Sequence, residues 1–139
     1  MRAFTVTTEI TAEKVAGLLC SAFEGGSYGC GSWCRIMTYR KPRGAVKPLL
    51  GDGMIHEYCD YPVQGGAVVC RVDDDDTGTD EGDKDYEPLV LNGKVIQRGL
   101  DLMAAKHPKH FAAFVADQYD AITGDVLVQL SLLGELVYG

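Results

Sequence analysis

Residues 123–133, Thr123-Gly124-Asp125-Val126-Leu127-Val128-Gln129-Leu130-Ser131-Leu132-Leu133, decide the fold. Thr123 reads as a helix N-cap. The helix it opens is apolar almost all round, so it has no face to give to water and belongs at the centre of the molecule. The apolar character continues past Gly134 into Leu136, Val137 and Tyr138, which predicts a packed rather than frayed tail.

Outward from that helix, the remaining elements must supply its cover. Asn92 caps a helix running to about Lys106, with Val95, Ile96, Leu100 and Met103 inward. Pro108 suits the first turn of another, carrying Phe111, Phe114 and Val115. Near the start, Thr11 caps a helix with Glu13 in its first turn. Val15, Leu18, Leu19, Ala22 and Phe23 follow helical spacing along it, and Gly25-Gly26 ends it.

Strand signals are shorter. Residues 2–10 alternate Phe4, Val6 and Thr8 with Thr5, Thr7 and Glu9 and predict a strand. Residues 33–39, 54–58 and 66–72 are further strand candidates, and 86–91 is a short extended piece. Residues 27–32, 41–53 and 73–85 read as loops. The expected order is β-α-β-β-β-α-α-α in one α+β domain spanning 1–139. It would be a small antiparallel sheet of three or four strands with about four helices packed on one face.

Charge is uneven. The net charge is −7, yet residues 35–47 carry Arg35, Arg40, Lys41, Arg43 and Lys47 with no acid, while residues 73–87 are dense in Asp and Glu. An acidic balance argues against direct nucleic-acid binding, which depends on neutralising phosphates. It leaves room for a basic partner or for a small anion on the Arg-rich segment. No apolar run reaches the roughly 18 residues of a membrane span, and no signal peptide is evident, so a cytoplasmic protein is expected. Five cysteines should then stay reduced.

The familiar catalytic and cofactor signatures are missing: no nucleophile elbow, no phosphate loop, no dinucleotide fingerprint. Cys30 and Cys34 with His107 and His110 are poorly spaced for zinc, and buried thiols are the simpler reading. The run from Asp73 departs from a calcium loop at Asp80 and Lys84, so a solvated acidic loop is expected. No metal or other cofactor is therefore expected.

Polar residues set among apolar ones are more suggestive, because buried polar groups need partners. Glu24, Tyr28, Trp33, Asp125, Gln129, Glu135 and Tyr138 would converge if the first and last helices pack together. Otherwise Glu24 and Glu135 cap loop N–H groups and Tyr138 fills the core.

Several of these residues also carry a resemblance. Ala22-Phe23-Glu24-Gly25-Gly26-Ser27 with following aromatics, Arg98-Gly99-Leu100 with Met103, and Thr123-Gly124-Asp125-Val126 with Gln129 form one part. Asp120 and the closing Gly134-Glu135-Leu136-Val137-Tyr138-Gly139 complete it. The chain resembles a family of small tailed-phage and prophage proteins. Members place Tyr-Trp almost directly after Glu-Gly-Gly-Ser, whereas Gly29-Cys30-Gly31-Ser32 here separates Tyr28 from Trp33.

The resemblance implies a phage protein acting in the host cytoplasm. By analogy it implies a non-enzymatic antagonist of host defence. Such a protein would sequester a nucleotide-like signal, with Trp33 or Tyr28 against the base and Arg35 or Arg98 against phosphate. Alternatively it would inhibit a defence protein such as a CRISPR effector. Rival expectations are a small hydrolase or nucleotide-processing enzyme using carboxylates near Glu24 and Glu135, and a homo-oligomeric interaction module.

Overall fold

The computed structural model describes residues 3–72 and 87–139. Helix α1 (Ala12–Glu24) leads into two 3-10 turns, Gly26–Tyr28 and Cys30–Ser32, and then strand β1 (Cys34–Arg40). A one-turn helix α2 (Glu57–Asp60) and a 3-10 turn (Pro62–Gln64) precede β2 (Ala67–Val72). The chain continues through β3 (Leu89–Leu91), α3 (Gly93–Lys106), α4 (Pro108–Val115) and α5 (Ala121–Leu133). The three strands form one antiparallel sheet in the order β1-β2-β3. The α+β class and the antiparallel sheet are thus as the sequence predicts, and the element order differs.

The central position of α5 follows from its composition. Val126, Leu127, Val128, Gln129, Leu130 and Ser131 are all buried. Its two closest neighbours approach at glycines. A Cβ added at Gly124 would lie 2.8 Å from the Ala22 backbone nitrogen and from the Leu18 carbonyl on α1. One added at Gly99 on α3 would lie 2.1 Å from the Ser131 hydroxyl. Helix backbones can come this close only where one of the two lacks a side chain at the crossing, so the three helices share a tightly packed seam. Gly134 ends α5 with a φ of 79°, its N–H bonding the Leu130 carbonyl at 3.1 Å. Arg98 donates to the Ser131 carbonyl, one of the four that a helix end leaves without an intrahelical partner.

The sheet supplies Val68, Cys70 and Leu91 to the same core as α1, α3 and α5. Ala67, Val69 and Arg71 are buried as well, which is why β2 reads as a continuous apolar run rather than an alternation. A bulge between Ile36 and Thr38 interrupts the β1–β2 register.

Four expectations need correction. Residues 3–11 form no strand or helix, and Phe4 and Val6 are exposed. Their period-two pattern marks a β-compatible segment, but a strand exists only where a neighbour takes its backbone hydrogen bonds. Residues 54–58 do not form a strand either. The buried Asp60 carboxylate accepts from the His56 N–H at 2.8 Å and the Leu49 N–H at 3.2 Å, which winds the segment into α2.

The N-cap of α5 is Asp120, not Thr123. Its carboxylate accepts from the Thr123 N–H at 3.0 Å, starting the helix three residues earlier. The tail after Gly134 is only partly packed: Leu136 and Val137 are 41% and 53% exposed. The acidic segment 73–85 lies outside the described residues. No helix among those described is long and apolar enough to cross a membrane.

Candidate functional site

The turns after α1 set one wall of a cleft. Cys30 is fully buried and its thiol bonds the Ala22 carbonyl at 3.4 Å, which folds the loop back over the end of α1. That anchor fixes Trp33, whose backbone N–H bonds the Cys30 carbonyl at 3.2 Å. The Trp33 ring is buried, and its Nε1–H donates to Asp125 Oδ1 at 2.7 Å. An indole N–H removed from water needs such an acceptor.

Gln129, one turn along α5 from Asp125, ties down the opposite wall. Its Nε2 donates to Asp125 Oδ2 at 3.0 Å and to the Tyr138 carbonyl at 2.9 Å. Its Oε1 accepts from the N–H groups of Val137 and Tyr138 at 2.8 and 2.9 Å. A glutamine amide has two donor hydrogens and two acceptor lone pairs, so this side chain is saturated. With the tail clipped, Tyr138 stacks on Trp33, ring centroids 5.2 Å apart and planes within 8°.

The resulting cleft has a volume of about 410 Å³. Asp125 and Gln129 lie on one side, Ser27, Tyr28 and Ser32 on another, with Leu136 and Tyr138 from the tail. His110 of α4 closes it, its Nδ1 3.4 Å from the Thr123 hydroxyl. Among the described residues no lysine or arginine lines it. Burial raises the pKa of Asp125, while the hydrogen bonds from Trp33 and Gln129 pull it back down. The site is therefore an acceptor-rich, half-enclosed notch with aromatic walls.

Of the residues singled out in the sequence, Tyr28, Trp33, Asp125, Gln129 and Tyr138 meet here. Four do not. Glu24 lies beyond the end of the cleft, accepting from the Cys20 thiol at 2.9 Å and from the Tyr58 hydroxyl, and these bonds hold its carboxyl below the usual range. Glu135 is exposed and outside the lining, so the two carboxylates of the enzymatic reading do not form a pair. Arg35 sits on β1 opposite Arg71 of β2. Arg98 serves the end of α5.

His110, weighed in the sequence only as a zinc ligand, and Ile122 also line the cleft. Their place there depends on how α4 and the first turn of α5 meet, which no local pattern reports. Cys30, Cys34 and Cys70 are buried, and Cys34 contacts both of the others. Contact with Cys30 first, and then burial, pushes the Cys34 thiol well above its ordinary pKa. Contact with Cys34, followed by burial, does the same to Cys70. All three are core thiols rather than cleft residues. Among the described residues no group of three His, Cys, Asp or Glu is placed to hold a metal ion.

Compared with protein-family models, curated proteins and solved structures, the chain has no match.

Proposed function

We propose that this chain is a phage-encoded, non-enzymatic binding protein that antagonises host antiviral defence in the host cytoplasm. It does so by direct contact with a defence protein through the cleft and its rim. The phage origin rests on the motif resemblance. The contact surface rests on one observation: the cleft opens among exposed apolar side chains. Tyr28, 74% exposed, lines it together with the exposed side chains of Ile122 and Leu136. Exposed apolar patches around a polar notch mark protein contact sites, and tyrosine is enriched at their energetic centres.

The same geometry weighs against sequestration of a nucleotide signal. Phosphates would enter a cleft lined by a carboxylate and, among the described residues, by no lysine or arginine, and Arg35 and Arg98 lie elsewhere. A hydrolase using Glu24 and Glu135 would need both at the cleft, and neither lines it.

The test uses cells that each carry one defence system and are challenged with a sensitive phage. Expression of the chain should restore plaques on at least one, and Tyr28→Asp should remove the effect without altering the melting temperature. Full activity of Tyr28→Asp, or no restoration on any system, would overturn the reading.

A further inference from the structure

We propose that the cleft is an arginine receptor: Asp125, set in the same cleft as the rings of Tyr28 and Tyr138, takes the guanidinium of an arginine on the partner protein. This rests on the reading of the cleft as a protein contact surface, and it names the chemistry that the surface recognises.

The count of lone pairs carries the inference. An ionised carboxylate offers about four acceptor positions, two on each oxygen. Trp33 occupies one on Oδ1 and Gln129 one on Oδ2. One position remains on each oxygen, which is the arrangement that a planar guanidinium fork meets with two parallel N–H groups. Because each oxygen already accepts one bond from the protein, the carboxylate's orientation is fixed before any ligand arrives.

The rest of the cleft suits the same occupant. Among the described residues no lysine or arginine of the cleft competes for Asp125. Gln129 has no hydrogen-bonding capacity left, so Asp125 is the charged acceptor of the α5 wall that a ligand addresses. Tyr28 and Tyr138 line the cleft with Asp125, and a guanidinium packs on tyrosine better than the compact, strongly hydrated ammonium of lysine does. A phosphate or carboxylate ligand would meet Asp125 with like charge. The protein's net charge of −7 draws a basic partner and repels an acidic one.

The chain supplies its own reporter, since Trp33 is its single tryptophan and is bonded directly to Asp125. The intact protein is titrated with N-acetyl-arginine methylamide, and with the citrulline analogue that keeps the shape but lacks the charge. Trp33 emission and its indole N–H resonance are followed. The arginine probe should give a saturable change at millimolar concentration, and citrulline should bind at least about tenfold more weakly.

Asp125→Asn should abolish binding. Because that change also sets an amide against Gln129, Tyr28→Ala provides the second variant. Tyr28 lies outside the Asp125–Gln129 network, so its loss should weaken the arginine probe several-fold at an unchanged melting temperature.

Equal binding of the two probes, no saturable change in the native protein, or indifference to Tyr28→Ala would overturn the proposal. So would a self-associated native protein that Asp125→Asn dissolves, since the arginine would then come from a second copy. The two readings fail separately. Arginine binding without antagonism of any defence sinks the functional reading alone. Tyr28-dependent restoration of plaques without arginine binding sinks this one alone.

Discussion

Gln129→Leu removes the clip that holds the tail, and its cost can be worked from the four bonds it breaks. The lost partners are Asp125 Oδ2, the Tyr138 carbonyl and the N–H groups of Val137 and Tyr138, all within 2.8–3.0 Å. A neutral hydrogen bond contributes a net of roughly 0.5–1.5 kcal/mol, and one to a charged group roughly 1.5–3 kcal/mol. The three backbone groups belong to a segment that regains water when it detaches, so the lower limits apply, summing to about 3 kcal/mol. The leucine recovers about 1 kcal/mol by adding apolar contact inside the core.

The expected net loss is therefore about 2 kcal/mol, or roughly 6–10 °C in melting temperature for a chain of this size. Calorimetry gives that number. Amide hydrogen exchange tests the mechanism, since the Val137 and Tyr138 amides should lose their protection while those of the α5 interior keep theirs. Protection at Val137 and Tyr138 equal to that of the parent protein would refute the clip, whatever the melting temperature.

Deleting residues 136–139 should leave the chain folded, because Leu136 and Val137 are already largely exposed. The loss is limited to the clip and one aromatic stack of about 0.5–1.5 kcal/mol, and Trp33 emission should shift to the red; an unfolded product would show the tail to be structural. Gly124→Ala places a methyl 2.8 Å from α1 backbone atoms and should cost about 1–3 kcal/mol by urea unfolding; an unchanged midpoint would refute the close helix crossing. Asp120→Ala should cost about 1 kcal/mol at neutral pH through the lost N-cap. The Asp120 carboxyl is held below its ordinary pKa, chiefly by the Thr123 N–H. Its contribution is thus present above the unfolded value and lost as pH falls through the folded one, so the two proteins should converge in acid. A gap in melting temperature that persists in strong acid would show that the cap does not act through the carboxylate.

The helices were legible because each carries its own repeat: the stripe of α1 and the all-round apolarity of α5 are local properties. The strand expected over residues 2–10 shows the limit of that legibility. Alternation reports what a segment is suited to, while pairing depends on a neighbour elsewhere in the chain. Residues 54–58 failed for a related reason, since Asp60 acts on Leu49, eleven positions away.

Within the cleft, Asp125 and Gln129 stood out as polar residues in an apolar helix and proved to be neighbours on one face. Trp33 meets Asp125 across 92 positions of sequence, so only its type, an indole needing an acceptor, hinted at the pairing. Glu24 follows Phe23 by one residue, and on a helix adjacent residues point in different directions. Glu24 is held by the Cys20 thiol and the Tyr58 hydroxyl and does not reach the cleft.

Tyr138 is at once a wall of the cleft and the residue by which the tail docks, so the two processes are linked equilibria. The cleft is complete only in molecules whose tail is seated. Any occupant that touches the Tyr138 ring draws the population toward that state. Reciprocity then fixes a quantitative relation: the factor by which an occupant tightens docking of the tail equals the factor by which docking tightens the occupant. A substitution at Val137, whose backbone alone engages the clip, can thereby raise or lower affinity through the seated fraction, with every contact of the ligand left intact.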